Sequence, residues 1–531
     1  MLLRRCPDRR NRTGEIVEAL RTAPDGSVIR FEPGIYDFFA DDAFSGYFCP
    51  SCNKSSDKKV IFPVLRKKNI TLDGGGSEFV FHDRVFPFIV QDSVGVTLEN
   101  FSVDFSFPRC VICDVQTVGE DGICLSIDRA KYDYRTNEEG NLLIRAGNDE
   151  FSTCERRFFL KKGTRGNTDC CYLSAGEIFY DNDNLPAEVF YCRAEETDGG
   201  VFLRRDGRSG FSPRFTAGAE LLLSYDEQRD NDVFFFDRSE NITVRNVSIH
   251  NGAGMGFVGQ CCRDLTLESC VISPRSEGFS TTADGILLTN FSGWVRIENC
   301  VVRNTMDDAV SVHGYYTTVE RITAPRKAIL RMRHRSQSFM NPYCPGDRLV
   351  VTDGKSMNEK DAITLKRARY ENDPYLIYAD FDEDIRGRLR PGDLIEDPER
   401  TPETLITGCL FENACAVRLG SAGKTVFENN RMLNCSGLLV NDIMSWWYAS
   451  GPTKDVTIRG NVFDGCGISA FVDRGMPCEV RHKLIRITDN EFKNGAAISV
   501  RNTEKLVLSG NSTDKAELPV VTDGKATVME E

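Results

Sequence analysis

The stretch Val295-Arg296-Ile297-Glu298-Asn299-Cys300 decides the fold. Apolar and polar residues alternate along it, the pattern of a half-buried strand, and it ends on a turn residue and a small side chain. The same pattern recurs as Val96-Thr97-Leu98-Glu99-Asn100-Phe101, Ile242-Thr243-Val244-Arg245-Asn246-Val247 and Leu265-Thr266-Leu267-Glu268-Ser269-Cys270. It returns later as Val456-Thr457-Ile458-Arg459-Gly460-Asn461, Ile485-Arg486-Ile487-Thr488-Asp489-Asn490 and Leu506-Val507-Leu508-Ser509-Gly510-Asn511. The closing residues form a column: Phe101, Val247, Cys270, Cys300, Cys409, Asn430, Asn461, Asn490, Asn511. Successive steps are 23 (247 to 270), 30 (270 to 300), and then, from 409, 21, 31, 29 and 21 residues. Short strands on a coil of about 21 to 30 residues predict an all-β chain wound as a right-handed parallel β-helix. Inward asparagines at the turn would stack as a hydrogen-bonded ladder, with Cys or Val in the same slot where the core is apolar. A leucine-rich repeat would need leucines at fixed offsets and a helix per repeat, and a propeller a period of about 40 or more; neither pattern is present.

Two gaps of 146 residues (101 to 247) and 109 residues (300 to 409) interrupt the column. Each exceeds one coil several-fold, so each predicts an inserted β-rich domain. The expected division is 1–112, an N-terminal cap and the first coils; 113–235, the first insertion; 236–314, further coils; 315–400, the second insertion; and 401–531, the last coils. The turns Pro345-Gly346-Asp347 and Pro391-Gly392-Asp393, each followed by apolar residues, predict a small antiparallel barrel in the second insertion. Glu220-Leu221-Leu222-Leu223-Ser224-Tyr225 predicts a strand late in the first. Ile16 and Leu20 lie at helical spacing within Glu15–Arg21, which predicts a helix capping the open end of the coil.

The 531 residues carry a net charge of −13, the wrong sign for steering toward nucleic acid, so a neutral substrate fits better. Of the 20 cysteines several, such as Cys270 and Cys300, fall inside strand-like runs and read as small buried residues, with abundant free thiols favouring a reducing compartment or an anaerobic habitat. Cys49 and Cys52 form a lone CxxC with no second pair, which argues against a zinc site. Met1-Leu2-Leu3 runs at once into Arg4-Arg5, so the residues favour the cytoplasm; a natural start upstream of Met1 would open secretion or the periplasm. No apolar run of 18 residues predicts a membrane span, and a homodimer is compatible with this composition.

Matching Val310 with Ile286 and Val312 with Leu288 sets Asp308 of Met306-Asp307-Asp308-Ala309 over Asp284 of Ala283-Asp284-Gly285, with the extra residues of the longer coil looped out at 273–280. Coils lie about 4.8 Å apart, so Asp284, Asp307 and Asp308 converge on one patch at the start of a strand. Crowded carboxylates raise one another's proton affinity, which is what acid–base hydrolysis of a glycoside requires. Solvated turn aspartates or a calcium site would also fit this pattern. His313 reads either as a structural histidine or as a substrate ligand. Trp446 and Trp447 read as a sugar-stacking platform or as turn aromatics. Arg418 and Asp442, on later coils, are expected along the same face.

Taken together, Thr282-Ala283-Asp284-Gly285-Ile286, Met306-Asp307-Asp308-Ala309-Val310, Val312-His313-Gly314, Pro33-Gly34-Ile35-Tyr36-Asp37-Phe38 and Ser450-Gly451-Pro452-Thr453-Lys454-Asp455-Val456-Thr457-Ile458-Arg459 resemble glycoside hydrolase family 110, the exo-acting α-1,3-galactosidases. The resemblance covers most of the chain. It implies that both insertions are small barrels; glycoside hydrolysis itself needs no cofactor, and no residue set argues strongly for a metal. It further implies inverting removal of terminal α-1,3-linked galactose from branched blood-group-B-like or linear glycans, with Asp307 as general acid and Asp284 with Asp308 activating water. The sequence departs from that family at Ser445–Ser450, where a single Trp followed by Glu is usual and Trp446-Trp447 and Ala449 stand here. The alternatives are a polygalacturonase-type hydrolase of family 28, whose Gly-His-Gly and Arg-Ile-Lys segments are not found, and a non-catalytic carbohydrate-binding β-helix.

Overall fold

A computed structural model describes residues 2–3, 9–108, 110–145, 151–153, 156–160, 170–174, 189–207, 216–224, 231–275, 278–445, 447–473, 476–477 and 480–530. The chain is a parallel β-helix interrupted by two closed barrels. One coil shows the plan. Strand Ser292–Glu298 runs to a turn at Asn299-Cys300, the short strand Val301–Arg303 follows, and a second turn at Asn304–Ala309 leads to strand Val310–Tyr315. Each strand pairs in parallel with its counterparts on neighbouring coils. Trp294–Glu298 registers on Glu403–Thr407, Val301–Arg303 on Leu410–Glu412, and Val310–Val312 on Val417–Leu419.

Local chemistry explains why these residues turn where they do. The residue before each column position has a left-handed backbone: Asn100, Asn246, Ser269, Asn299, Asn429 and Asp489 all have φ between 51° and 61°. Asparagine and aspartate tolerate that region better than other residues with a side chain. Gly408 takes it at the coil below Asn299, where an added Cβ would meet the Asn299 Oδ1 at 2.5 Å. The column itself points inward. Asn430 Nδ2 donates to the Ile406 carbonyl (2.9 Å), while its Oδ1 accepts from the Cys409 amide (2.9 Å). Cys409 repeats that bonding with sulfur, its Sγ lying 3.4 Å from both the Ile297 carbonyl and the Cys300 amide. Cys and Asn therefore share a column because each carries a donor and an acceptor at one tip. Between the coils lies a continuous apolar core, with phenylalanines stacked from Phe62 through Phe88 to Phe234 and Phe257.

The barrels leave and rejoin the helix without disturbing its register. Strand Val94–Phe105 pairs directly with Glu240–Ile249 across the first excursion. That excursion is a closed barrel running from Cys110–Val118 to Glu220–Ser224. The second spans Thr317–Ala324 to Leu394–Glu396, with Gly346 and Gly392 of its two Pro-Gly-Asp turns at φ 94° and 89°. Helix Thr13–Thr22 buries Ile16, Ala19 and Leu20 at the N-terminal end of the coil. Among the described residues no helix is long and apolar enough to cross a membrane.

Candidate active site

The site forms where the second turn of two adjacent coils enters its third strand. Ile286 pairs with Val310 and Leu288 with Val312, and the Gly285 amide donates to the Asp308 carbonyl (2.8 Å). Asp284 and Asp308 thus occupy equivalent places on neighbouring coils, and Asp307 precedes Asp308 on the same turn. Threonine side chains stiffen both turns: Thr281 Oγ1 donates to the Ala283 carbonyl and Thr305 Oγ1 to the Asp307 carbonyl, each at 2.8 Å. Asp284 and Asp308 are buried, whereas Asp307 is half-buried.

The coil below supplies the partners of Asp308. The Ala416 amide donates to its Oδ1 (3.1 Å) and Arg418 Nε to its Oδ2 (3.2 Å). Burial, opposed by Arg418 and reinforced by Asp307, raises the Asp308 pKa to about 6. Register also places Cys415 directly below Asp308, with its amide donating to the Asp307 carbonyl (3.1 Å). Burial and the charges of Asp307, Asp308 and Asp284 push the Cys415 thiol far above its ordinary range, so it stays protonated. Cys415 is absent from the sequence-level candidates. Matching Val417 with Val310, as Ile286 was matched, would have found it.

The other sequence-derived candidates separate. His313 follows on the strand of Asp308, where it is buried; its Nδ1–H donates to the Gly314 carbonyl (2.8 Å), and burial lowers its pKa to about 4, leaving the ring neutral. Trp447 lies on a loop returning beside that strand, since Gly314 pairs with Ser450 and Tyr315 with Ala449. The His334 ring sits 4.1 Å from the Trp447 ring, and Gln337 Nε2 donates to the Trp447 carbonyl (3.1 Å), so a turn of the second barrel holds this residue. Trp446 lies outside the described residues. Asp442 is 0% exposed, and its carboxylate accepts from Tyr316 Oη (2.8 Å), Arg481 Nε (2.6 Å) and the Gly451 amide (2.9 Å), leaving no surface for a sugar.

A wall rises on the side of the earlier coils. Asn53 Nδ2 donates to Asp232 Oδ2 (2.8 Å), and Asp232 Oδ1 accepts from the amide of Met255, the residue beside Asp284 on the preceding coil. Cys52 and Ser51 meet the Tyr315 hydroxyl at 3.0 and 2.8 Å, and the Cys52 amide donates to the Ser336 carbonyl (3.1 Å). The CxxC segment therefore stitches the N-terminal coils to the second barrel. Among the described residues, no group of His, Cys, Asp and Glu is arranged to hold a metal ion.

The family profile described as "Glycosyl hydrolases family 28" matches residues 215–324, which include the three aspartates. Over most of the chain the similarity is to other proteins. Alpha-1,3-galactosidase A of Shewanella woodyi is 26% identical over 92% of this chain and 81% of its own length. Alpha-1,3-galactosidase B of Bacteroides thetaiotaomicron is 25% identical over 93% and 82%, and alpha-1,3-galactosidase B of Bacteroides fragilis 27% over 93% and 82%. A solved structure, the family 28 exopolygalacturonase of Yersinia enterocolitica, aligns with 100% of this chain and 78% of its own at 9% identity and a TM-score of 0.39. Over more than nine-tenths of its length, this parallel β-helix is thus a relative of the α-1,3-galactosidases, the family that its motifs resemble.

Proposed function

We propose that this chain is an exo-acting glycoside hydrolase that removes terminal α-1,3-linked galactose from a glycan with inversion at the anomeric carbon. The observation that carries the reading is the meeting of three carboxylates in two settings: Asp308 buried beside Asp284 and held by two donors, and Asp307 more open on the same turn. In this reading Asp307 protonates the glycosidic oxygen as the bond to the anomeric carbon breaks. Asp284 and Asp308 take a proton from a water that attacks the opposite face, so the galactose leaves as the β-anomer. Similarity over more than nine-tenths of this chain to proteins named alpha-1,3-galactosidase supports the sugar and the linkage. Neutral His313 and Trp447 are the remaining substrate contacts in this reading.

Proton NMR of an α-1,3-galactosyl disaccharide mixed with the protein tests it. The β-anomer of galactose appears first if the reading holds; the α-anomer first, or no release, overturns it. A second reading, a family 28 type hydrolase acting on polygalacturonate, is favoured by the match over residues 215–324. It predicts release from polygalacturonate and none from the galactoside.

A further inference from the structure

Arg418 stands on the coil that follows the aspartates, and its sequence position suggests a sugar contact. Its contacts give it a protein partner instead. Its Nε is spent on Asp308 Oδ2 at 3.2 Å, and the Ala416 amide, two residues earlier on the same strand, binds Asp308 Oδ1 at 3.1 Å. One strand therefore grips both oxygens of one carboxylate and fixes the plane of that group. From the other side, the Gly285 amide binds the Asp308 carbonyl, so the Asp308 backbone is pinned to the Asp284 coil while its side chain is pinned to the Arg418 coil. We propose that Arg418 is a positioning residue, which acts on the reaction by holding Asp308 rather than by binding the sugar.

The proposal rests on the reading of Asp308 as part of the water-activating pair. The groups facing Asp308 are Asp307 on its own turn, Asp284 from the coil above, and Cys415 and Arg418 from the coil below. His313, further along the Asp308 strand and also near Arg418, is neutral. Arg418 is the one cation among them. Without it, Asp308 would face two carboxylates and a neutral thiol in a buried place, and its proton would leave only at higher pH. Asp308 would also be free to rotate away from the position that lines up the water.

The experiment compares wild type with Arg418→Met and Arg418→Lys, using kcat/KM against pH on an α-1,3-galactoside and ¹³C NMR titration of the labelled aspartate carboxyls. The expected result is an acid limb moved up by about 1 to 3 pH units in Arg418→Met, an activity loss of roughly tenfold or more at pH 6, and little change in KM. Arg418→Lys restores part of the shift, because its charge returns without the fixed guanidinium plane. Thermal unfolding establishes that both variants are folded; if Arg418→Met fails to fold, Arg418→Lys decides alone, by a smaller upward shift of the limb. A profile that superimposes on wild type after scaling, with a raised KM, overturns the proposal and makes Arg418 a substrate ligand. Should wild type release no galactose, an upward shift of the Asp308 carboxyl titration on substitution still upholds the clamp while the galactosidase reading fails. An unmoved titration overturns the clamp itself.

Discussion

Asn461→Ala should be among the most damaging single changes far from the candidate site. The side chain is 1% exposed and lies mid-ladder. Its Oδ1 accepts from the Asn430 amide (2.8 Å) and Asn430 Nδ2 (3.2 Å), while its Nδ2 donates to the Phe427 carbonyl (2.9 Å) and Asn490 Oδ1 (2.9 Å). Alanine leaves the Asn430 amide without an acceptor and strips the Phe427 carbonyl of a donor, in a place water does not reach. At about 1–3 kcal/mol for each buried group left unsatisfied, the loss is about 4 kcal/mol. Asn461→Cys should cost about half of that, because Cys409 shows a thiol making the same two backbone contacts, more weakly, in this slot. Asn511→Ala, at the part-exposed end of the ladder, should cost least, since water replaces the amide. Urea denaturation followed by circular dichroism, with the m value unchanged, gives the three free energies. A cost below about 1 kcal/mol for Asn461→Ala, or a Cys variant no better than the Ala variant, would refute the argument that backbone satisfaction sets the column.

Asp307→Asn should abolish turnover and Asp284→Asn should reduce it by orders of magnitude, both with unchanged unfolding curves; near-normal release of galactose by either would remove that residue from the mechanism. Because Asp308 titrates near pH 6 and must be ionised to share in activating water, wild-type kcat/KM should fall as pH drops through about 6. Trp447→Ala should raise KM roughly tenfold with a smaller effect on kcat, if the ring stacks on sugar; an unchanged KM in steady-state assays would leave the residue a loop anchor. Burial, with Asp442 and Glu359 nearby, raises the Glu396 pKa to about 7 against the pull of Arg481, and its Oε2 is buried without a partner. The folded state thus holds this proton more tightly than the unfolded chain. Its stabilising effect is complete below about pH 4.5 and is lost as pH rises through about 7, a swing of about 3 kcal/mol at most. Glu396→Gln should flatten thermal stability over that window, and an unaltered slope would show that Glu396 is ionised throughout.

Much of the architecture was legible because a β-helix writes its period into the chain. The Asn and Cys column, the two long gaps, and the match of Ile286 with Val310 all rest on side chains that must face inward at a fixed point of every coil. The capping helix was legible from Ile16 and Leu20 for the same reason. What escaped depended on partners far apart in sequence and without periodicity. Tyr316, Glu396, Asp442 and Arg481 converge on one buried ionic network from four separate segments, and nothing local marks Asp442 as its member rather than a lining residue. The CxxC at Cys49 and Cys52 likewise showed no metal pattern, yet gave no hint that Cys52 would meet Tyr315 across 263 residues. At the aspartates themselves, the sequence placed the three carboxylates but not the strand that grips one of them, because the second barrel separates Asp308 from Arg418 by 110 residues.

That separation bears on how the molecule is made. A ribosome delivers roughly 5–20 residues per second, so strand Val94–Phe105 waits about 7 to 30 seconds for Glu240–Ile249, the strand that covers its edge. In the interval the nascent coil ends in an unprotected row of amides and carbonyls, the kind of surface on which chains aggregate. A barrel that closes on itself while the ribosome works converts a separation of 146 residues between paired positions into a short hinge and brings the waiting strands together. The second barrel imposes a shorter delay of the same kind within the aspartate patch, over 110 residues. Asp308 emerges first, and its Arg418 counter-charge follows only after the intervening barrel strands have been synthesised, so the site is completed late in the birth of the chain.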